Sequence, residues 1–326
     1  MTQSPRQLRE EIAPAMGAMP NTALVEAELP MAPDLVPGAE PVARSNWQLF
    51  RRRFFRHKLA VISLVLLVLI IIGCFGAPLF APYPKNHVDA LLIADAHGPS
   101  LKHWFGTTDS GQDLFSQVLY SGQISLEIGL AVAFFSTIVG VFVGALAGFF
   151  GGITDQLLSR LTDLFLVIPE IAILAVALQY LGRSGTSFII ILAALGWMYI
   201  ARIVRGQVLS IREKEFVEAA RASGASHKRI ILRHILPNCI GPIMVNATLA
   251  IAVAVIAEST LAFLGLGLQP PNTSWGILLN QAESAVTDPA KIYLVLFPAL
   301  MLLITVMAVN FIGDGLRDAF DPQSTH

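Results

Sequence analysis

EAARASGASHKRIILRHILP, residues 218–237, is a polar and basic stretch set between runs apolar enough to cross a membrane. Glu218, Ala219, Ala220 and Gly224 predict the end of one short helix, because a glycine supplies the left-handed residue that closes helices. Ser226 is placed to N-cap a second helix running to Leu236, and Pro237 is expected to stop it. Upstream, Val208, Leu209, Ile211, Phe216 and Val217 alternate with polar residues as in a helix lying along a surface. The small Ala219, Ala220 and Ala222 admit close approach by another helix or domain. Ile230, Ile231, Ile235 and Leu236 stripe the second helix, while Lys228, Arg229 and Arg233 face elsewhere. Three readings compete: an amphipathic loop resting on headgroups, a DNA-reading helix-turn-helix, and a coupling element that plugs into a partner protein. Spans begin within a few residues on either side, so the hairpin has no access to a major groove. A basic hairpin without catalytic residues suits transmitting force.

The rest of the chain supplies the membrane. Hydrophobic residues make up 54% and charged residues 14% of the 326, well under the roughly 25% charged of soluble domains. A span needs ~20 mostly apolar residues. Six runs qualify, at about 59–80, 123–150, 162–181, 187–206, 239–267 and 292–313. The predicted fold class is therefore all-α and polytopic. Arg51, Arg52, Arg53, Arg56 and Lys58 precede the first span, which places the N-terminus in the cytoplasm by the positive-inside rule. Six crossings then return the C-terminus to the same side. Of the 22 Lys and Arg, only Lys85, Lys102, Arg183 and Lys291 fall outside.

Three regions are expected. Residues 1–45, broken by Pro14, Pro20, Pro30, Pro33, Pro37 and Pro41, read as a disordered cytoplasmic tail rather than a secretory signal. Residues 46–122 hold the first span and an external loop too long for a turn. Residues 123–322 form the remaining transmembrane domain, including the 207–238 loop. Cys74 and Cys239 read at opposite faces, so no disulfide is expected, and the seven histidines show no metal-binding spacing. Trp275 reads as an interfacial anchor.

The 218–237 stretch resembles the EAA loop of permease subunits of bacterial ABC importers. Glu218, Ala219, Ala220, Gly224, Leu236 and Pro237 match that pattern position by position. His234 stands where the general pattern has Ile, as in the dipeptide/oligopeptide/nickel branch. The resemblance extends over about residues 47–322. Phe105-Gly106-Thr107 through Gly111 and Asp113 resembles the family's FGTDxxGRD signature, with Thr108 and Gln112 replacing the usual Asp and Arg. Ala257-Glu258, Leu261 and Phe263-Leu264-Gly265-Leu266-Gly267 resemble its fifth span; Gly313-Asp314-Gly315-Leu316-Arg317-Asp318 with Asp321-Pro322 resembles its C-terminal end. The resemblance implies a C-type permease subunit that pairs with a homologous permease, two ATP-binding cassette subunits and an extracytoplasmic solute-binding protein in the bacterial inner membrane. It implies that Glu218, Ala219, Ala220, Gly224, His234, Leu236 and Pro237 couple the ATPases to the pore.

Two carboxylates lie inside predicted spans, Glu258 and Glu170. Each costs at least ~2.5 kcal/mol on insertion scales, which makes both translocation-path candidates. For Glu258, helix packing is the competing reading. Gly140, Gly144 and Gly148 form a ladder for close helix contact, within the subunit or to a second permease. Asp155, Arg160 and Asp163 read as a solvated helix end or as partners of the coupling region. No GxxxxGK[ST] occurs, so ATP is expected on partner subunits and no cofactor on this chain. Ser259 has no intramembrane His partner, and no enzymatic activity is expected. The alternative is an ion-coupled secondary transporter or channel subunit working without ATPases.

Overall fold

The computed structural model describes residues 46–93 and 96–320. The proline-rich tail expected over 1–45 lies outside the described residues, as do Asp321 and Pro322 of the C-terminal signature. Within them the chain is all-α: α1 (Asn46–Arg56), α2 (Lys58–Phe75), α3 (Leu114–Phe150), α4 (Gly152–Val167), α5 (Glu170–Leu181), α6 (Gly185–Arg212), α7 (Glu215–Ala222), α8 (His227–Ile230), α9 (Ile240–Leu261), α10 (Trp275–Gln281) and α11 (Tyr293–Phe320). Five helices are long and apolar enough to cross a membrane, and a sixth crossing is available if α4 and α5 count as one bent span.

Small residues decide how the two central helices meet. α3 and α6 pack along most of their length, and the glycine ladder lies in that seam. A Cβ on Gly140 would stand 2.7 Å from Ile200 Cβ, one on Gly144 2.5 Å from the Ala201 carbonyl oxygen, and one on Gly148 2.8 Å from Val208 Cβ. The ladder therefore serves packing within the subunit. α3 is N-capped by Asp113, whose Oδ2 accepts from the Ser116 N–H at 2.8 Å. At 37 residues and 1.5 Å per residue it is ~56 Å long, well beyond the ~30 Å hydrocarbon core. α9 and α11 pack against each other, and α2 lies against α11 and α3.

The third span predicted over 162–181 is bent where a proline within a span admits a kink: α4 and α5 meet at 85°. Pro169 forces Ile168 into an extended conformation (φ −83°, ψ 133°), which ends the helix. Pro298, by contrast, sits within a continuous α11. Pro237 does not stop its helix either. The chain stays helical from His227 to Leu264, through a wide π turn at Ile231–Ile235 and a tight 3-10 turn at Leu236–Cys239. These turns absorb the missing proline N–H, and Asn238 Nδ2 donates to the His234 carbonyl at 2.7 Å.

Trp275 also departs from its expected place. It is fully buried rather than interfacial, packed with Ile70, Cys74 and Leu126. Its indole Nε1 donates to the Val118 carbonyl at 2.9 Å. The short α10 folds back against α3, so the ring that reads as an anchor becomes core.

Candidate functional site

The 213–239 hairpin is held from behind and open in front. After the turn at Glu213 and Lys214, α7 ends where Gly224 adopts φ +77°. Its N–H donates to the Arg221 carbonyl at 3.0 Å, and the Ala225 N–H to Ala220 at 3.1 Å. Ser226 Oγ then accepts from the Arg229 N–H at 3.4 Å to start α8. Val217, Ile230 and Ile235 are completely buried in one apolar cluster with Phe149 of α3 and Val208 and Ile211 of α6. Burial of such side chains stabilises by roughly 1.5–3 kcal/mol each, enough to fix the hairpin on the central pair. Glu218, Ala219, Gly224 and Pro237 are exposed, while Ala220, His234 and Leu236 are half-buried. The result is a small-residue face on a rigid mount.

Three arginines of α6 tie this end together. Arg205 makes a two-point pair with Asp155 of α4, through Nε to Oδ1 and through Nη2 to Oδ2 at 2.7 Å. Arg202 Nη2 reaches Asp163 Oδ1 at 2.6 Å. Arg212 Nη1 donates to the Gly148 carbonyl at 2.9 Å, covering an open carbonyl at the end of α3. Asp155 and Asp163 thus pair with α6 rather than with the hairpin, and neither is a free helix end. Arg205→Ala is expected to lower the melting temperature of the purified protein. Paired with Asp155→Ala it should reveal a coupling energy of about 1 kcal/mol, because the pair is only partly buried. Additive single effects in that double-mutant cycle would remove the pair from the account.

The two intramembrane carboxylates lie apart. Glu170 is the first residue of α5, directly after the bend. It is exposed in the isolated subunit and stands in the wall of a cavity of about 560 Å³ whose polar lining includes Ser136, Tyr199, Asn246 and Asn310. Its carboxylate has no hydrogen bond or ion pair among the described residues. A first-turn acid is favoured by the helix dipole by only ~0.3–1 kcal/mol, less than the ~2.5 kcal/mol insertion cost. Dipole compensation alone does not account for it.

Glu258 is fully buried and is not among the residues lining that cavity. Its Oε2 accepts from Ser125 Oγ and Ser259 Oγ, each at 3.3 Å. Ser125 Oγ in turn accepts from the Trp275 N–H at 3.2 Å. The carboxyl therefore joins α3, α9 and the start of α10. Glu258→Gln keeps an acceptor for both hydroxyls. It is expected to stay within twofold of wild type in detergent half-life at 37 °C, whereas Glu258→Ala should shorten it severalfold. Equal half-lives for the two variants would show that the hydrogen bonds contribute nothing.

The lobe over residues 81–113 holds a second constellation not evident from sequence. His103 Nδ1 lies 2.9 Å from Asp113 Oδ1, both side chains buried, and the His103 ring stacks on Tyr83 at 5.1 Å. Phe105 stacks flat on Phe297 of α11 at 3.8 Å, and Tyr293 Oη donates to the Thr107 carbonyl at 3.0 Å. Thr108 Oγ1 accepts from the Gln112 N–H at 3.2 Å. The Phe105–Asp113 signature thus fastens this lobe onto α3 and α11. Its ten-residue His–Asp spacing carries no periodic signal in the sequence.

Comparison with known proteins agrees with this architecture. Residues 140–326 match the family described as binding-protein-dependent transport system inner membrane component. Residues 45–99 match the N-terminal transmembrane domain of oligopeptide transport permease C. The chain is 42% identical over 280 residues to the oligopeptide transport system permease protein OppC of Haemophilus influenzae, covering 86% of this chain and 89% of that one. It is 41% identical over 275 residues to OppC of Mycobacterium tuberculosis, covering 84% and 93%. In fold it is similar to a chain of the inward-facing MetNI methionine ABC transporter, with a TM-score of 0.53 at 21% identity, over 63% of this chain and 96% of that one.

Proposed function

This chain belongs to the inner membrane components of binding-protein-dependent transport systems, as a multi-pass permease subunit of an ABC importer, and from that premise we propose its cargo, assembly and cycle. The cargo is a peptide or a related small solute, a reading supported by the OppC relatives. The permease forms half of a pore with a second, homologous permease. Two ATPase subunits dock beneath, and a solute-binding protein delivers cargo to the opposite face. Both termini lie in the cytoplasm, as the distribution of Lys and Arg favours. Nucleotide is bound by the ATPase subunits.

The observation that carries this reading is the hairpin. Its outward face at Glu218, Ala219 and Gly224 lies over an apolar back fixed to α3 and α6. ATP-driven closure of the ATPases moves that mount, and the spans alternate between outward and inward opening. The test is site-directed cross-linking. Cysteine at Ala219 or Gly224 is expected to cross-link to an ATPase subunit in membranes, with a yield that changes between ATP-bound and nucleotide-free states. Labelling of either cysteine from the periplasmic side would reverse the topology and end the proposal.

A secondary transporter working without ATPases lacks comparable support. The matched family and the OppC relatives are components of binding-protein-dependent transport, not of ion-coupled carriers.

A further inference from the structure

We infer that the cavity beside the α4–α5 bend is a subsite for the cationic amine end of the transported solute, with Glu170 as its counter-charge. The inference deepens the import reading above and rests on it for the identity of the cargo. Four observations converge. Pro169 breaks the apolar α4–α5 pair with an 85° bend, the geometry of a broken span or a re-entrant loop, and irregular backbone at membrane depth is tolerated where it is buried in protein or lines a cavity. The broken segment does line one: Leu166 before the break and Glu170 after it are both in the wall. The carboxylate of Glu170 has no partner of its own among the described residues, so its charge is available to whatever enters.

The remaining lining fits the same chemistry. The wall is mostly apolar, with a few polar groups among it, the ordinary make-up of a small-molecule site. Asn246 of α9 and Asn310 of α11 add amide oxygens, Ser136 of α3 a hydroxyl, and Tyr199 of α6 a ring. An ammonium group donates hydrogen bonds to such oxygens, and its charge is attracted to a carboxylate and to an aromatic face. A carboxylate-bearing solute end would meet repulsion here and no arginine or lysine in the lining. The subsite therefore takes a protonated amine, the α-ammonium of a peptide being the simplest carrier.

The test reads the electrostatics directly. A single cysteine at Asn246, and separately at Tyr199, is labelled in the complete importer in nanodiscs with a cationic ethylammonium thiosulfonate and with its anionic ethylsulfonate counterpart. The native Cys74 and Cys239 are both buried, which keeps the background low. Glu170→Gln is expected to lower the cation-to-anion rate ratio at least fivefold at both reporters, and Glu170→Asp to preserve it. An unchanged ratio overturns the inference. In proteoliposomes at saturating binding protein, Glu170→Gln should cut the maximal peptide uptake rate at least fivefold with the half-saturating peptide concentration unmoved. Uptake at the wild-type rate also overturns it. A wild-type complex that takes up no peptide on ATP addition would sink the peptide reading, and the labelling ratio would still judge Glu170.

Discussion

Ala219→Arg is expected to strip the ATPase subunits from the purified importer and to reduce peptide uptake at least tenfold, with the permease inserted at its normal level. Ala219 is exposed on α7, between the buried Val217 and the glycine that ends the helix. A long charged side chain there leaves the apolar back of the hairpin untouched. It adds bulk only on the small-residue face where an ATPase would have to come close. Size and charge at a closely packed interface centre commonly cost several kcal/mol of affinity. Co-purification of the ATPases and uptake in proteoliposomes measure both halves. Full ATPase recovery with full uptake would mean that this face is not the docking surface. Val217→Asp is the contrasting variant: it places a charge in the buried cluster and should deplete the folded permease itself.

The second large effect belongs to the α3–α6 seam. Gly144→Ile is expected to lower the permease in the membrane fraction to under a tenth of wild type. The added Cβ would stand 2.5 Å from the Ala201 carbonyl oxygen and 2.9 Å from Val204 Cβ. The nearest atom is backbone, so no rotamer change relieves the clash and the helices must part. Overpacking of this kind costs about 1–3 kcal/mol even where side chains can adjust. Separation here would also pull Arg205 and Arg212 from Asp155 and Gly148. Gly206 provides the control, since a Cβ there meets nothing within 4 Å. Gly206→Ala should be neutral or stabilising by about 0.5–1 kcal/mol through helix propensity. Immunoblotting of membranes for both variants decides; equal levels would contradict the seam.

What was legible in the sequence was what depends on short spacing. Gly224 and Ser226 set the turn of the hairpin from within four residues of its helices, and the Gly140–Gly144–Gly148 repeat identified a close seam, though not which helix it meets. The six apolar runs correspond to five long helices and one bent pair. Pro237 read as a helix stop, yet it is absorbed by a π turn, whereas Pro169 bends its segment by 85°. The difference lies in the neighbours: α8 is anchored through Ile230 and the π turn through Ile235, so the chain continues past Pro237. Trp275 read as an anchor because composition cannot reveal that α10 folds back on α3. The Asp155–Arg205 pair spans 50 residues, and the cavity around Glu170 collects side chains from six helices, so no local window contains either.

The glycine seam has a mechanical consequence. Where a methyl group would already overlap a carbonyl oxygen, the backbones of α3 and α6 are in direct contact along the seam, which favours the two helices moving together with the hairpin at one end. In the proposed cycle, gating motion would then fall where the backbone is irregular away from that mount: the Ile168–Pro169 elbow and Gly265 with its φ of +79°. The elbow abuts Glu170, so swinging α5 about it would alter the chamber's width and the position of its charge in one stroke.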